Sequence, residues 1–168
     1  MHLKKNKAKG VAINGLPIRK ASELFGVVNL VFFQEHTDKR GSLIALESLS
    51  EVVPFEVKRV YYIYGTKFGY ERGFHAHLKL KQLLICLSGT VDIQVWSTRD
   101  NSKTYRLDSP NKGLFVEGLI WRVMKNFSSD AVLLVLASEH YDKADYIFDF
   151  NKFASICDSY STDEPVLD

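Results

Sequence analysis

A succession of short strand-forming runs, punctuated by turn residues, constrains this chain more than any other feature. The runs are Val27–Phe33, Leu43–Glu47, Val57–Tyr64, Gly73–His77, Leu83–Leu87, Thr90–Trp96, Thr104–Leu107, Gly113–Val116, Ile120–Asn126 and Ala131–Ala137. Between them stand Asp38-Lys39-Arg40-Gly41, Ser88-Gly89, Arg99-Asp100-Asn101-Ser102, Asp108-Ser109-Pro110 and Ser128-Ser129-Asp130, all rich in residues that favour reversals. In Thr90–Trp96, Val91, Ile93 and Val95 alternate with Asp92 and Gln94, the pattern of a strand buried on one face. Leu83–Leu87 is apolar throughout, as expected of a strand covered on both faces. Short strands at regular spacing with little helix predict an all-β sandwich or barrel. Two short helices are expected, Arg19–Phe25 and Asp145–Ile156. In the second, Tyr146, Phe150 and Phe153 recur at helical spacing and would cap one end of a barrel.

A length of 168 residues suits one domain with one core. The expected division is an N-terminal extension over 1–25, partly disordered, a β domain over 26–158 and a C-terminal tail over 159–168. The formal charge is only +2, and Lys4, Lys5, Lys7 and Lys9 carry much of the positive side. No basic stripe with interleaved aromatics remains outside that run, so nucleic acid is not an expected partner. Nor is a membrane, because no apolar run reaches the roughly 18 residues of a spanning helix. Neither a signal peptide nor a disulfide framework is expected, and reduced Cys86 and Cys157 fit a cytoplasmic protein.

His75 and His77 lie in a predicted strand, where residues i and i+2 share a face, so both imidazoles project into one space. Imidazole serves equally as a metal ligand and as an acid–base group near neutral pH. The run Gly69, five residues, His75-Ala76-His77, then Gln82 and Gly89 resembles the first cupin signature, with Gln82 at its glutamate position. The histidine of the second signature falls at Met124. The resemblance implies a double-stranded β-helix, the jelly-roll barrel, with its site inside. Two imidazoles and an amide make a poor cage for a divalent ion, and Arg122 in the same space would repel one. The metal reading therefore gives way to the acid–base reading, with no metal and no cofactor expected.

A closer resemblance rests on Arg72-Gly73-Phe74-His75-Ala76-His77, Gln82, Asp108-Ser109-Pro110, Gly113-Leu114, Trp121, Phe127-Ser128-Ser129-Asp130 and Leu136-Ala137-Ser138. With Asp38-x-Arg40-Gly41-Ser42-Leu43 and Tyr141-Asp142-x-x-Asp145-Tyr146-Ile147, these resemble the dTDP-4-dehydro-6-deoxyglucose 3,4-ketoisomerases, WxcM-like cupins, over roughly residues 27–153. The resemblance implies a cofactor-free isomerase that moves a carbonyl from C4 to C3 through an enediol. It assigns His75 and His77 as the catalytic pair and Arg40, Arg59, Tyr61, Arg72, Gln82 and Arg122 as substrate contacts. After the Trp, members of this family often carry His where Arg122 stands, which leaves the C4 configuration of the product open. The alternatives are a dTDP-sugar 3,5-epimerase, also a cupin, and a non-catalytic nucleotide-sugar-binding cupin. The expected partners are a dTDP-linked keto sugar and a second copy, in a homodimer with exchange of N-terminal strands. The product would feed deoxysugar biosynthesis for surface glycans such as lipopolysaccharide O-antigen or S-layer glycan.

Overall fold

The computed structural model describes residues 26–161 and two short strands nearer the N-terminus, β1 (Ala12–Ile13) and β2 (Leu16–Pro17). The strands that follow are β3 (Val27–Phe32), β4 (His36–Asp38), β5 (Gly41–Leu43), β6 (Arg59–Tyr64), β7 (Arg72–His77) and β8 (Lys81–Ser88). Then come β9 (Val91–Trp96), β10 (Ser102–Leu107), β11 (Lys112–Glu117), β12 (Trp121–Lys125), β13 (Val132–Ala137) and β14 (Tyr146–Ile147), closed by helix α1 (Phe150–Ser161). They form two five-stranded antiparallel sheets, β10-β9-β12-β7-β14 and β3-β11-β8-β13-β6. This is the β-sandwich expected of a jelly roll.

The main core lies between the sheets, where Val91, Ile93 and Met124 of the first meet Leu84, Leu114, Val116, Leu133 and Val135 of the second. The uniform apolarity of β8 follows from its position. Leu84 and Cys86 face this core, while Leu83 and Ile85 face outward beneath Val53 and Phe55. Burying a Leu or Ile side chain contributes roughly 1.5–3 kcal/mol, so both faces of this central strand stabilise the fold.

Two expectations are corrected. No strand runs over Leu43–Glu47: β5 ends at Leu43 and pairs with β4 across the Asp38–Gly41 turn, and Ile44 and Leu46 instead pack over the outer apolar cluster. No helix spans Asp145–Ile156 as a whole. Lys143–Asp145 form a 3₁₀ turn, Tyr146–Ile147 form β14, and α1 starts at Phe150 because the Asp149 carboxylate caps it, accepting the Lys152 N–H at 3.0 Å. Phe150 and Phe153 pack on Trp121, so α1 covers the outer face of the first sheet, with Ala76, Val123 and Ile147 beneath it, rather than a barrel end. The expected helix Arg19–Phe25 lies outside the described residues, as does any disorder in 1–25. Among the described residues no helix is long and apolar enough to cross a membrane.

Candidate active site

Alternation places five of the singled-out side chains in the space between the sheets. Gln82 shares the parity of Leu84 and Cys86 on β8, Tyr61 that of Ile63 on β6, and Arg122 that of Met124 on β12. His75 and His77 enter from β7, whose Ala76 points the other way, into the cluster beneath α1.

A β-bulge aims the histidines. Arg122 pairs with His75 and Val123 with Gly73, so Phe74 is the extra residue. Gly73 (φ 99) and Phe74 (φ 55) absorb the distortion. Only glycine suits the first position, since a Cβ there would sit 2.7 Å from the Arg122 carbonyl oxygen. The bulge also brings the Gly73 carbonyl to 2.9 Å from His75 Nδ1. A carbonyl only accepts, so Nδ1 carries the proton and Nε2 keeps its lone pair.

His77 is fully buried, its Nδ1 2.9 Å from Asp145 Oδ2, and its Nε2 is buried without a hydrogen-bond partner. The other Asp145 oxygen accepts the Lys79 N–H at 2.9 Å. The two imidazoles meet edge to face with centroids 4.8 Å apart, and Tyr146 touches both at 4.2 and 5.0 Å. Phe148, more than half exposed, stacks on Tyr146 and borders His75.

Arg122 is fully buried. Its guanidinium donates to the Ile120 carbonyl at 2.9 Å and to Gln82 Oε1, while Gln82 Nε2 donates to the Tyr61 hydroxyl at 2.8 Å. Burial lowers Arg122 to about 10, still a cation at neutral pH. Burial first, and then this cation, push His75 down to about 4. Burial pushes His77 down to about 3, outweighing the opposing effect of the hydrogen bond it donates to Asp145. Both imidazoles are thus uncharged at pH 7 and able to accept protons. Among the described residues no three His, Cys, Asp or Glu side chains cluster to hold a metal. A donor set of two imidazoles and an amide already bonded to a guanidinium does not fit a divalent cation.

Of the remaining expected contacts, Arg59 stacks over Tyr61 at 5.3 Å and over Tyr141 at 5.8 Å, with its Nε buried and unpartnered. Arg72, at the start of β7, donates to the Thr66 hydroxyl at 3.2 Å. Arg40 stands apart, ion-paired to Asp38 on the exposed β4–β5 hairpin. Asp145, Tyr146, Tyr141 and Phe148 escaped the sequence reading as site residues. The segment Tyr141–Ile147 stood out as a motif, but treating its end as helix hid that Tyr146 pairs with His77 along a strand.

Comparisons with known proteins show which family the chain resembles. The family model described as FdtA: WxcM-like, C-terminal, matches residues 27–158. The chain is 44% identical over 124 residues to a TDP-4-oxo-6-deoxy-alpha-D-glucose-3,4-oxoisomerase of Aneurinibacillus thermoaerophilus, covering 74% of this chain and 88% of that one. A crystal structure of a 3,4-ketoisomerase from Helicobacter canadensis superposes with TM-score 0.75 at 46% identity, covering 78% of this chain and 97% of the other. A 3,4-ketoisomerase from Thermoanaerobacterium thermosaccharolyticum, a histidine-to-asparagine variant in complex with TDP-4-keto-6-deoxyglucose, superposes with TM-score 0.75 at 40% identity, covering 79% and 94%.

Proposed function

The chain belongs to the FdtA family (WxcM-like, C-terminal), and from that premise we propose how its site converts dTDP-4-dehydro-6-deoxy-D-glucose to a dTDP-3-dehydro-6-deoxyhexose. It is an isomerase, a sugar-nucleotide 3,4-ketoisomerase. The observation that carries the mechanism is the pair of uncharged imidazoles, His75 and His77, on one face of a strand beside a buried guanidinium.

One imidazole takes the proton from C3, and the electron pair moves through C3–C4 onto the C4 oxygen, giving an enediolate. That oxygen is protonated, the O3 proton leaves, and the pair returns as a C3 carbonyl while C4 receives a proton. C4 is reduced by what C3 loses, so no external oxidant is needed. General acid–base catalysis of this kind contributes about 10²–10⁴-fold. Arg122 supplies fixed positive charge where the enediolate forms, with Gln82 and Tyr61 orienting it. Arg59 and Arg72 contact the nucleotide and its diphosphate, which guanidinium can grip in a bidentate manner.

In deuterated solvent, the protein given dTDP-4-dehydro-6-deoxyglucose is expected to yield a 3-keto product labelled at C4, unaffected by a chelator. Label at C3 and C5 with the 4-keto group retained would make it an epimerase, and dTDP binding without exchange would make it a binding module.

The assembly we propose is a homodimer acting in the cytoplasm, with the N-terminal strands exchanged. Two features support it. A cleft of about 580 Å³ on the outer face of the second sheet is lined by Ile44, Leu46, Val60, Ile85, Leu87 and Leu134. The β4–β5 hairpin, exposed along its whole length, holds Arg40 at the surface, where a neighbour's substrate would be within its reach in such a dimer. Light scattering is expected to give twice the chain mass, and mixing Arg40→Ala with His75→Asn subunits should restore activity in heterodimers. A monomer, or no complementation, would remove Arg40 from the site. The 3-keto product suits an aminotransferase supplying amino deoxysugars for surface glycans.

A further inference from the structure

We infer that Asp145 is a positioning residue of the isomerisation: its carboxylate holds the His77 imidazole as the Nδ1–H tautomer and leaves the Nε2 lone pair as a proton acceptor inside the fold. The inference rests on the ketoisomerase reading and deepens it.

The Asp145 carboxylate is fixed from two directions. The Lys79 N–H donates to Oδ1 at 2.9 Å, and the Leu78 N–H donates to the Asp145 backbone carbonyl at 3.0 Å. The 3₁₀ turn that presents Asp145 is itself capped by Asp142, which accepts the Ala144 N–H at 2.9 Å. Held this way, Oδ2 has one neighbour to serve, His77 Nδ1 at 2.9 Å. A carboxylate oxygen only accepts. Nδ1 must then be the donor.

The second observation is the orphan. His77 Nε2 is buried yet makes no hydrogen bond, while nearly all buried polar side-chain atoms find a partner. Arg59 Nε is the other such atom among the described residues, but it is a donor; a buried acceptor left free fits a group whose partner is the substrate or a proton in transit. The charged and titratable groups around the ring are Asp145 from the 3₁₀ turn, His75 on the same strand, Tyr146 on β14 and Arg122 on β12.

The two histidines therefore share a tautomer but differ in what backs them. His75 leans on a neutral carbonyl, His77 on a carboxylate. The carboxylate opposes the loss of basicity that burial imposes on His77 and fixes which ring nitrogen offers its lone pair. A merely structural ion pair would need no such orientation of the lone pair.

Asp145→Asn separates the two roles. The Lys79 N–H selects the amide oxygen at the Oδ1 place, so the amide NH₂ faces Nδ1, which must accept, and the ring proton moves to Nε2. The expected result is a fall in kcat of about 10²–10⁴-fold with KM nearly unchanged. Nitrogen-15 NMR of labelled histidine is expected to show His77 protonated at Nδ1 in the wild type and at Nε2 in the variant. A kcat within about tenfold of wild type would overturn the inference. So would a wild-type His77 protonated at Nε2 at neutral pH, a measurement that needs neither turnover nor a folded variant. A wild type with the expected tautomer but no C4 labelling would instead sink the ketoisomerase reading.

Discussion

Replacing His75 by asparagine is expected to lower kcat by about 10³-fold while leaving dTDP affinity close to that of the wild type. His75 is the more accessible of the two histidines, its ring set between Tyr146 and Phe148, and Phe148 is open to solvent. Asparagine keeps a side chain able to donate to the Gly73 carbonyl but has no group that accepts a carbon-bound proton near neutral pH. Turnover followed by NMR and binding followed by calorimetry check both halves, and a kcat within about tenfold of wild type would dismiss His75 as a catalytic base. The same variant has a pH signature. In the unfolded chain His75 titrates near 6.5, but in the folded protein near 4. Between those values the unfolded state binds the extra proton, so stability rises with pH and is lost as pH falls. The wild-type Tm is expected to decline from about pH 6.5 toward 4. His75→Asn should flatten that decline, leaving the part due to His77.

Gly73→Ala is expected to have the largest structural effect of any single methyl added in this region. The residue adopts φ 99, and the new Cβ would lie 2.7 Å from the Arg122 carbonyl oxygen and 3.2 Å from Met124 Cε. Backbone does not yield as a side-chain tip does, so the bulge itself must shift. Strain of this kind costs roughly 2–4 kcal/mol, or about 5–15 °C of Tm in a chain of this size. The shift also moves the carbonyl that fixes His75, so activity should fall further than the lost folded fraction explains. Calorimetric melting with activity measured per folded molecule tests this. An unchanged Tm would mean that the bulge tolerates a side chain.

Much of this was legible because alternation is a strong signal. Val91, Ile93 and Val95 announce a half-buried strand, and the His75-x-His77 spacing places two rings on one face whatever surrounds them. The bulge was not legible, because Gly73-Phe74 reads as ordinary strand until its partner β12 is known. The C-terminal motif misled for a related reason: Tyr146, Phe150 and Phe153 fit helical spacing, yet Asp149 caps the helix after Tyr146 has already joined β7. Asp145 was hidden by distance in sequence, since only the fold brings position 145 against position 77. The burial of Arg122 was equally out of reach, because its partners are a main-chain carbonyl and a neutral amide, neither of which charge pattern reveals.

The segment from Asp142 to Cys157 brings Asp145 to His77, lays Tyr146 across both histidines and seals the sheet with α1. In order of synthesis these residues also follow every other strand of both sheets. Both sheets except β14 can assemble while this segment is still in the exit tunnel, but the catalytic centre cannot. A nascent chain therefore acquires its fold before its chemistry, and a product truncated before position 145 would be a mostly folded barrel without a completed active site.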